Sequence, residues 1–333
     1  MEQRLRWGIL GAGAIAQTFA RGLAVSRTGR LVAVGSRTRA TAESFGDTFN
    51  VAHRHGSYDA LLADADVDAV YIATPHPMHA EWAIKAAETG KHILCEKPLT
   101  LNHAEAMAVI EAARAHNVFL MEAFLYRCHP QTAALVDLIR TGAIGAVRLI
   151  QATYGFNATF DPDGRLFRQD LGGGGILDVG CYPVSFARLI AGAATGRAFA
   201  DPIEVKGTAQ IGPVTRIDEY AVAAMRFPGD ILAELATGVQ VRLENIVRVF
   251  GSEGQVRTPA PWLPSRGGQP TELIVERTDE ESRTVLVPAT IDPYAVEADY
   301  VGDQVAAGVL SPPAMAWADS LGNMRTLDRW RDA

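Results

Sequence analysis

RWGILGAGAIA, residues 6 to 16, runs from an apolar stretch of strand character through two glycines into residues of helical character. Within it GAGAIA (Gly11, Gly13, Ala14, Ile15, Ala16) has the form G-x-G-x-x-A between a strand and a helix, the context in which that pattern holds a dinucleotide pyrophosphate. Glycines without Cβ let the backbone touch phosphate, and the helix N-terminus adds free N–H groups and positive potential. The plain alternative is a tight strand-to-helix turn without a ligand.

Outward from this stretch the chain repeats its rhythm. LVAVGSRT, DAVYIATP, HILCEKP and VFLMEAF are separated by helical patterns such as HAEWAIKAAETG. Runs such as VDAVYIA are apolar without alternation, as in strands buried on both faces of a parallel sheet. The rhythm predicts an α/β Rossmann fold, a doubly wound parallel sheet, over residues 1–125. Residues 126–333 change pattern, with VRLIQATYGF, IEVKGTAQIG, EYAVAAMRFP, ILAELATG, IVRVFG, ELIVER and RTVLVP. They predict a substrate-binding α+β domain with a large, open, mostly antiparallel sheet. TPAPWLPSRGGQP, residues 258–270, reads as a surface loop.

With 333 residues, 48% hydrophobic and 21% charged, two globular domains are expected. A net charge of −7 with scattered basic residues argues against nucleic-acid or anionic-membrane partners. No run of about 20 apolar residues suggests a membrane span. Three cysteines without CxxC spacing fit a reducing compartment, so the cytoplasm is expected.

Where NAD sites place an acid for the ribose 2′-hydroxyl, about twenty residues past Ala16, the chain reads GSRTR, with Ser36, Arg37 and Arg39. A carboxylate would repel a 2′-phosphate; a hydroxyl and a guanidinium bind it, so NADP is expected. The alternative is an arginine on a solvent-facing loop that touches nothing.

Two segments carry candidate chemistry. CEKPL places Glu96, Lys97 and Pro98 after the strand HILC, at the carboxyl edge where such sheets bind ligands. GGGGILDVGCYPV, residues 172–184, places Asp178 and Tyr182 four apart on a helix, and so on one face. A free tyrosine, with pKa near 10, needs a nearby cation to serve as a base, and Lys97 is the candidate. Asp178 would orient the substrate hydroxyl or the lysine. The glycine run would let the backbone pass close to substrate and nicotinamide. Left open is a packed tyrosine and an exposed Glu–Lys pair.

HPMH (76–79) and HRH (53–55) invite a metal reading, but neither has a carboxylate or cysteine at ligand spacing, so no metal is expected. Cys181 reads as inert packing. Tyr126 and Arg127 would line the substrate pocket or a domain interface, and Tyr154, Phe156, Asn157, Arg165 and Phe167 precede the glycine run as substrate contacts.

In their order and spacing GAGAIA, the TP of IATPHPMH, CEKP, EAFLYRCHP and LGGGGILDVGCYP resemble the glucose-fructose oxidoreductase and inositol dehydrogenase family over essentially the whole chain. Tyr182 stands where the inositol dehydrogenase branch has histidine, and is similar to the tyrosine of dimeric dihydrodiol dehydrogenase and NADP-dependent D-xylose dehydrogenases. The resemblance implies Lys97 and Tyr182 as catalytic residues, Thr74, Pro75, His79 and Glu96 beside the cofactor, and a homodimer or homotetramer through the C-terminal sheet. Without an export leader, NADP is expected to exchange freely. The implied activity is hydride transfer between nicotinamide and a carbohydrate, foremost oxidation of an aldose of D-xylose or D-glucose type at C1. Alternatives are reduction of keto sugars or dicarbonyls, oxidation of a trans-dihydrodiol, and a non-catalytic NADP sensor.

Overall fold

In the computed structural model, which describes residues 4–289 and 292–333, the chain packs as two units. The first takes the described residues of 1–100, 104–128 and 290–320, and the second those of 101–103, 129–289 and 321–333.

The first unit alternates β1 (Leu5–Leu10), α1 (Ala14–Ala24), β2 (Gly29–Gly35), α2 (Arg39–Phe49), β3 (His53–His55), α3 (Tyr58–Leu62), β4 (Ala69–Ile72), α4 (His79–Glu88), β5 (His92–Glu96), α5 (His103–Ala115), β6 (Leu120–Ala123) and α6 (Leu125–Cys128). Its six strands are parallel in the order β3-β2-β1-β4-β5-β6, the doubly wound arrangement that binds dinucleotides at the carboxyl ends of its strands. Residues 69–72 are all buried, which is why that run shows no alternation. The three-residue β3 is too short and polar to read as a strand in the sequence.

The second unit holds α7 (Pro130–Arg140), β7 (Val147–Gly155), α8 (Cys181–Ala194), β8 (Glu204–Ile211), β9 (Asp218–Phe227), β10 (Ile231–Gly238), β11 (Val247–Gly251), β12 (Gly254–Thr258), β13 (Thr271–Arg277) and β14 (Arg283–Val287). They form one sheet in the order β14-β13-β12-β11-β7-β10-β9-β8. Every neighbouring pair is antiparallel except β7 with β10. β12 escapes the sequence pattern because GQVRT offers one apolar side chain, Val256, to the core.

Helix α8 lies against β7 and β10, and residues 181–193 are all buried. The run Gln169–Ala194 is long and apolar enough by composition to cross a membrane, and its most apolar stretch is wholly buried in this unit, as in the core helix of a globular domain. β9 shows the half-covered pattern: Ala221, Ala223, Met225 and Phe227 face inward, Tyr220 and Val222 outward.

The last two helices, α9 (Pro293–Ala306) and α10 (Trp317–Arg331), do not follow a single boundary at residue 125. α9 packs on α1, where the side of Gly22 meets Tyr294 and Asp292 too closely to admit a Cβ. Asp299 Oδ1 accepts from Ser26 Oγ at 2.6 Å, Arg27 N at 2.8 Å and Thr28 N at 3.0 Å. That carboxylate fixes the turn into β2, so α9 belongs to the first unit. α10 starts in the first unit and continues in the second.

Candidate active site

In the first unit the dinucleotide turn is built by two glycines with different tasks. Gly11 sits at φ +105°, and a Cβ there would lie 2.8 Å from the Ala73 carbonyl oxygen; it is required by backbone conformation and by close packing of β1 on the turn after β4. Gly13 caps α1 without any side-chain cap, and the place of its missing Cβ is open space. An uncapped helix N-terminus beside that opening fits an anionic pyrophosphate.

At the end of β2, Ser36 is buried and its N–H donates to the His55 carbonyl at 3.1 Å. Arg39 is committed elsewhere: Nε donates to Glu43 Oε1 at 2.6 Å and Nη1 to the Arg54 carbonyl at 2.7 Å. Arg37 is exposed and, among the described residues, has neither hydrogen bond nor ion pair. Of the two arginines the sequence offers for a 2′-phosphate, only Arg37 has its charge available. Arg37→Ala is therefore expected to weaken NADP by at least tenfold while leaving NAD within about twofold, since one charge-assisted contact contributes about 1.5–3 kcal/mol; fluorescence titration with both reduced cofactors measures this.

Lys97 follows β5, and the Lys97–Pro98 peptide is cis. Glu96 is held on both oxygens: Tyr71 Oη donates to its Oε1, and Oε2 accepts from Lys97 N at 3.2 Å. Burial first, then the Glu96 charge, pushes the Tyr71 hydroxyl well up, so it remains a donor. His79 is fully buried, its ring nitrogens 2.9 Å from the Pro98 and Thr74 carbonyl oxygens. It ties the end of β4 to the turn after Lys97. Both Glu96 and His79, expected beside the cofactor, bond to the lysine turn. Thr74 Oγ1 is buried with no partner among the described residues, and Pro75 begins the next turn, its carbonyl accepting from Met78 N at 2.9 Å.

Arg127 Nη2 meets Asp319 Oδ2 at 2.6 Å with side chains only 4% and 1% exposed, and Tyr126 is buried beside them. Both residues, expected to line a substrate pocket or a domain interface, are packed, the guanidinium in a dry ion pair.

In the second unit the last two glycines of the run, Gly174 and Gly175, are packed against protein, while Gly172 and Gly173 line an open cavity beside Ile176 and Leu177. Gly174, at φ +108°, lies against the carboxylate of Asp218, where a Cβ would come within 2.2 Å of Oδ1; a Cβ on Gly175 would lie 2.8 Å from Gly238 Cα. Asp218 Oδ2 accepts from Ile176 N at 2.6 Å. From that anchor the chain makes a π-helical turn, Ile176–Gly180, leading directly into α8. Pro183 offers no N–H for an α-type bond to Val179, and the turn before it is the wider one. Asp178 lies on the π turn and Tyr182 in the first turn of α8, so the regular i, i+4 helix expected from the sequence is replaced by a wider bend.

Tyr182, 6% exposed, sits in an aromatic nest. Its ring centroid is 5.2 Å from Tyr154 and 5.7 Å from Trp262, edge-on to both, while Tyr154 and Trp262 stack at 5.7 Å. Trp262 Nε1 donates to the Thr153 carbonyl at 2.9 Å. This tryptophan comes from the Pro-rich segment read as a surface loop; it is 3% exposed and escaped the sequence analysis. The only signal available was a tryptophan among prolines, an unusual residue for an exposed loop.

Asp178 Oδ1 accepts from Arg165 Nη2 at 2.9 Å. Asn157 is exposed and bridged to Gln240. Phe167 is a core residue with Ile217 and Val239, against which Phe156 packs. Cys181 is buried, as expected.

Burial lifts the Asp218 carboxyl to about 6, against the backbone N–H groups that favour its charge. Its folded pKa lies above the unfolded 3.8, so the native state holds the proton more tightly between about pH 4 and 6. The stability this group contributes is present below pH 4 and lost as pH rises through 6. Asp218→Asn should therefore gain about 2–3 kcal/mol relative to wild type between pH 4 and pH 7, measured by urea unfolding at both values; a pH-independent difference would refute it.

Residues 5–124 match the oxidoreductase family with NAD-binding Rossmann fold, and residues 132–257 match the GFO/IDH/MocA C-terminal domain. The chain belongs to the GFO/IDH/MocA family. Among relatives, an uncharacterized oxidoreductase (ORF334) of Rhizobium meliloti is 32% identical over 97% of this chain and 95% of its own. Trans-1,2-dihydrobenzene-1,2-diol dehydrogenase of Xenopus tropicalis is 31% identical over 95% and 93%. Among solved structures, the 3-ketoreductase KijD10 of Actinomadura kijaniata, in complex with NADP and TDP-benzene, aligns with TM-score 0.87 at 27% identity over 99% of this chain and 98% of that one. This GFO/IDH/MocA protein is an NAD(P)-dependent oxidoreductase, with dihydrodiol dehydrogenase homologues and ketoreductase structural neighbours.

Proposed function

We propose that the protein is an NADP-dependent dehydrogenase of a carbohydrate, oxidising an aldose at C1, with Tyr182 as the proton-transfer residue and Lys97 as its cationic partner. The uncommitted Arg37 at the end of β2, where no carboxylate stands, carries the NADP assignment. KijD10 with NADP supports the same cofactor class.

In this reading the α1 N-terminus and Gly13 hold the pyrophosphate, and Ser36 and Arg37 the 2′-phosphate. The cofactor, when bound, accepts or donates a hydride. Tyr182 takes the proton from the substrate hydroxyl oxygen, and the positive charge of Lys97 favours its phenolate form. Asp178 and Arg165 orient the sugar through their shared charge pair. Tyr154 and Trp262 fix the tyrosine ring, so its hydroxyl is presented in one place. The face of the second unit's sheet that carries Tyr220, Val222 and Leu232, 44%, 49% and 52% exposed, is the proposed homo-oligomer surface.

A second reading is favoured by the same nest. Two stacked rings beside Tyr182 suit a flat unsaturated ring as well as a sugar, and the dihydrodiol dehydrogenase relatives act on such a diol by name. NADPH formation over a panel of aldoses, polyols and trans-dihydrodiols decides: turnover on a pentose or hexose supports the aldose reading, turnover on the diol alone replaces it. Silence on both, with NADPH oxidation by a keto sugar or dicarbonyl, assigns the reductase.

A further inference from the structure

HRH, residues 53–55, has no carboxylate at ligand spacing in the sequence. The fold supplies one. β3 alternates its side chains, so His53 and His55 share a face, while Arg54 on the other pairs with Glu43 at 2.9 Å and Asp47 at 2.6 Å. The chain returns after α3 and places Asp64 under both imidazoles: His53 Nδ1 is 2.7 Å and His55 Nε2 2.9 Å from the same oxygen, Asp64 Oδ2. One donor atom from each of the three residues falls within 4.8 Å of the others.

We propose that His53, His55 and Asp64 form a binding site for a divalent transition-metal ion of the zinc class, at the edge of the first unit's sheet. Two imidazole nitrogens and one carboxylate oxygen are a borderline-soft donor set that suits Zn²⁺, Co²⁺ or Ni²⁺ and not Mg²⁺ or Ca²⁺. Around a tetrahedral ion with bonds of about 2.0–2.2 Å, nitrogen and oxygen stand about 3.3 Å apart. The present separations therefore need to open by about half an ångström, within reach of side-chain rotation.

The outer partners are in place as well. Asp64 Oδ1 accepts from Asp66 N at 2.9 Å, which fixes the carboxylate plane. The far nitrogen of His53, Nε2, faces Asp66 Oδ2 at 3.9 Å, the carboxylate–histidine arrangement that sets the tautomer and raises ligand basicity. The Asp64 side chain is 9% exposed but His53 is 38% and His55 22% exposed, so solvent reaches the site and water can complete the coordination.

The probe is the metal alone on the full-length, tag-free, chelator-stripped protein. Calorimetric titration with Zn²⁺ is expected to saturate at one ion per chain and to raise the melting temperature reversibly with chelator. Co²⁺ should give the visible bands of a four- or five-coordinate ion. His53→Ala and His55→Ala should each remove the Co²⁺ spectrum, and Asp66→Asn should weaken Zn²⁺ by about 10- to 100-fold. Circular dichroism confirms that the variants fold, and Arg54→Ala, on the opposite face, should leave the spectrum intact. Binding that does not saturate at one ion, or that survives in the His53→Ala/His55→Ala double variant, overturns the proposal and leaves the cluster as a carboxylate accepting two imidazole hydrogen bonds.

Discussion

Tyr182→Phe is expected to lower kcat by about 10²- to 10⁴-fold, the range general acid–base catalysis supplies, with NADP affinity unchanged. The substitution removes one oxygen and keeps the ring, so the edge-on contacts with Tyr154 and Trp262 at 5.2 and 5.7 Å remain. Folding and the aromatic nest should survive, and the loss should fall on turnover. Steady-state kinetics on the active substrate, beside a cofactor titration, measures both. A variant that keeps more than about a tenth of wild-type kcat would leave Tyr182 as a packed ring and return the proton transfer to another group. The pH profile adds a second reading: under the proposed pairing, Lys97→Met should move the basic group's apparent pKa upward in kcat/KM, because a cation partner favours phenolate. An unmoved profile would separate the lysine from the tyrosine.

The second large effect concerns stability. Asp319→Ala should cost about 3–5 kcal/mol, because it strands Arg127 as a buried charge. Burial works against the Arg127 charge, and Asp319 and then Tyr126 outweigh it, holding the guanidinium pKa above its ordinary value. With side chains 4% and 1% exposed, neither partner can recover its lost contact from water. Arg127→Met/Asp319→Leu, which replaces the pair by apolar groups of similar volume, should regain most of the loss. Urea unfolding of the three proteins checks this. If Asp319→Ala costs under about 1 kcal/mol, the pair is hydrated and Arg127 returns as a candidate for substrate contact.

The legible parts of this protein are those whose physics is local. GAGAIA announces a phosphate turn because Gly11 needs φ +105° and Gly13 leaves space for a ligand, and both demands fall within three residues between one strand and one helix. The apolar runs of β4 and β5 announce burial on both faces without reference to their neighbours. EKP and the glycine-to-tyrosine segment announced candidate chemistry, though not how it is held.

What stayed hidden depends on groups far apart in the chain. The glycines of residues 172–175 looked like access to a ligand; Asp218, more than 40 residues on, shows Gly174 and Gly175 to be packing surfaces and the start of a π turn. Trp262 reaches Tyr182 from a segment whose prolines read as solvent-facing. Asp64 joins two histidines only because α3 reverses the chain.

The sequence by itself determined the parallel sheet, the dinucleotide turn, the absence of an acid after β2, and the lysine and tyrosine proposed for proton transfer, since each follows from residue type and short spacing. Only the tertiary structure decided which arginine keeps its charge available, which unit α9 completes, which aromatic rings fix Tyr182, and which carboxylate meets His53 and His55. Helical and strand periodicity says that a face will be buried, but the partner that buries it is chosen by three-dimensional packing.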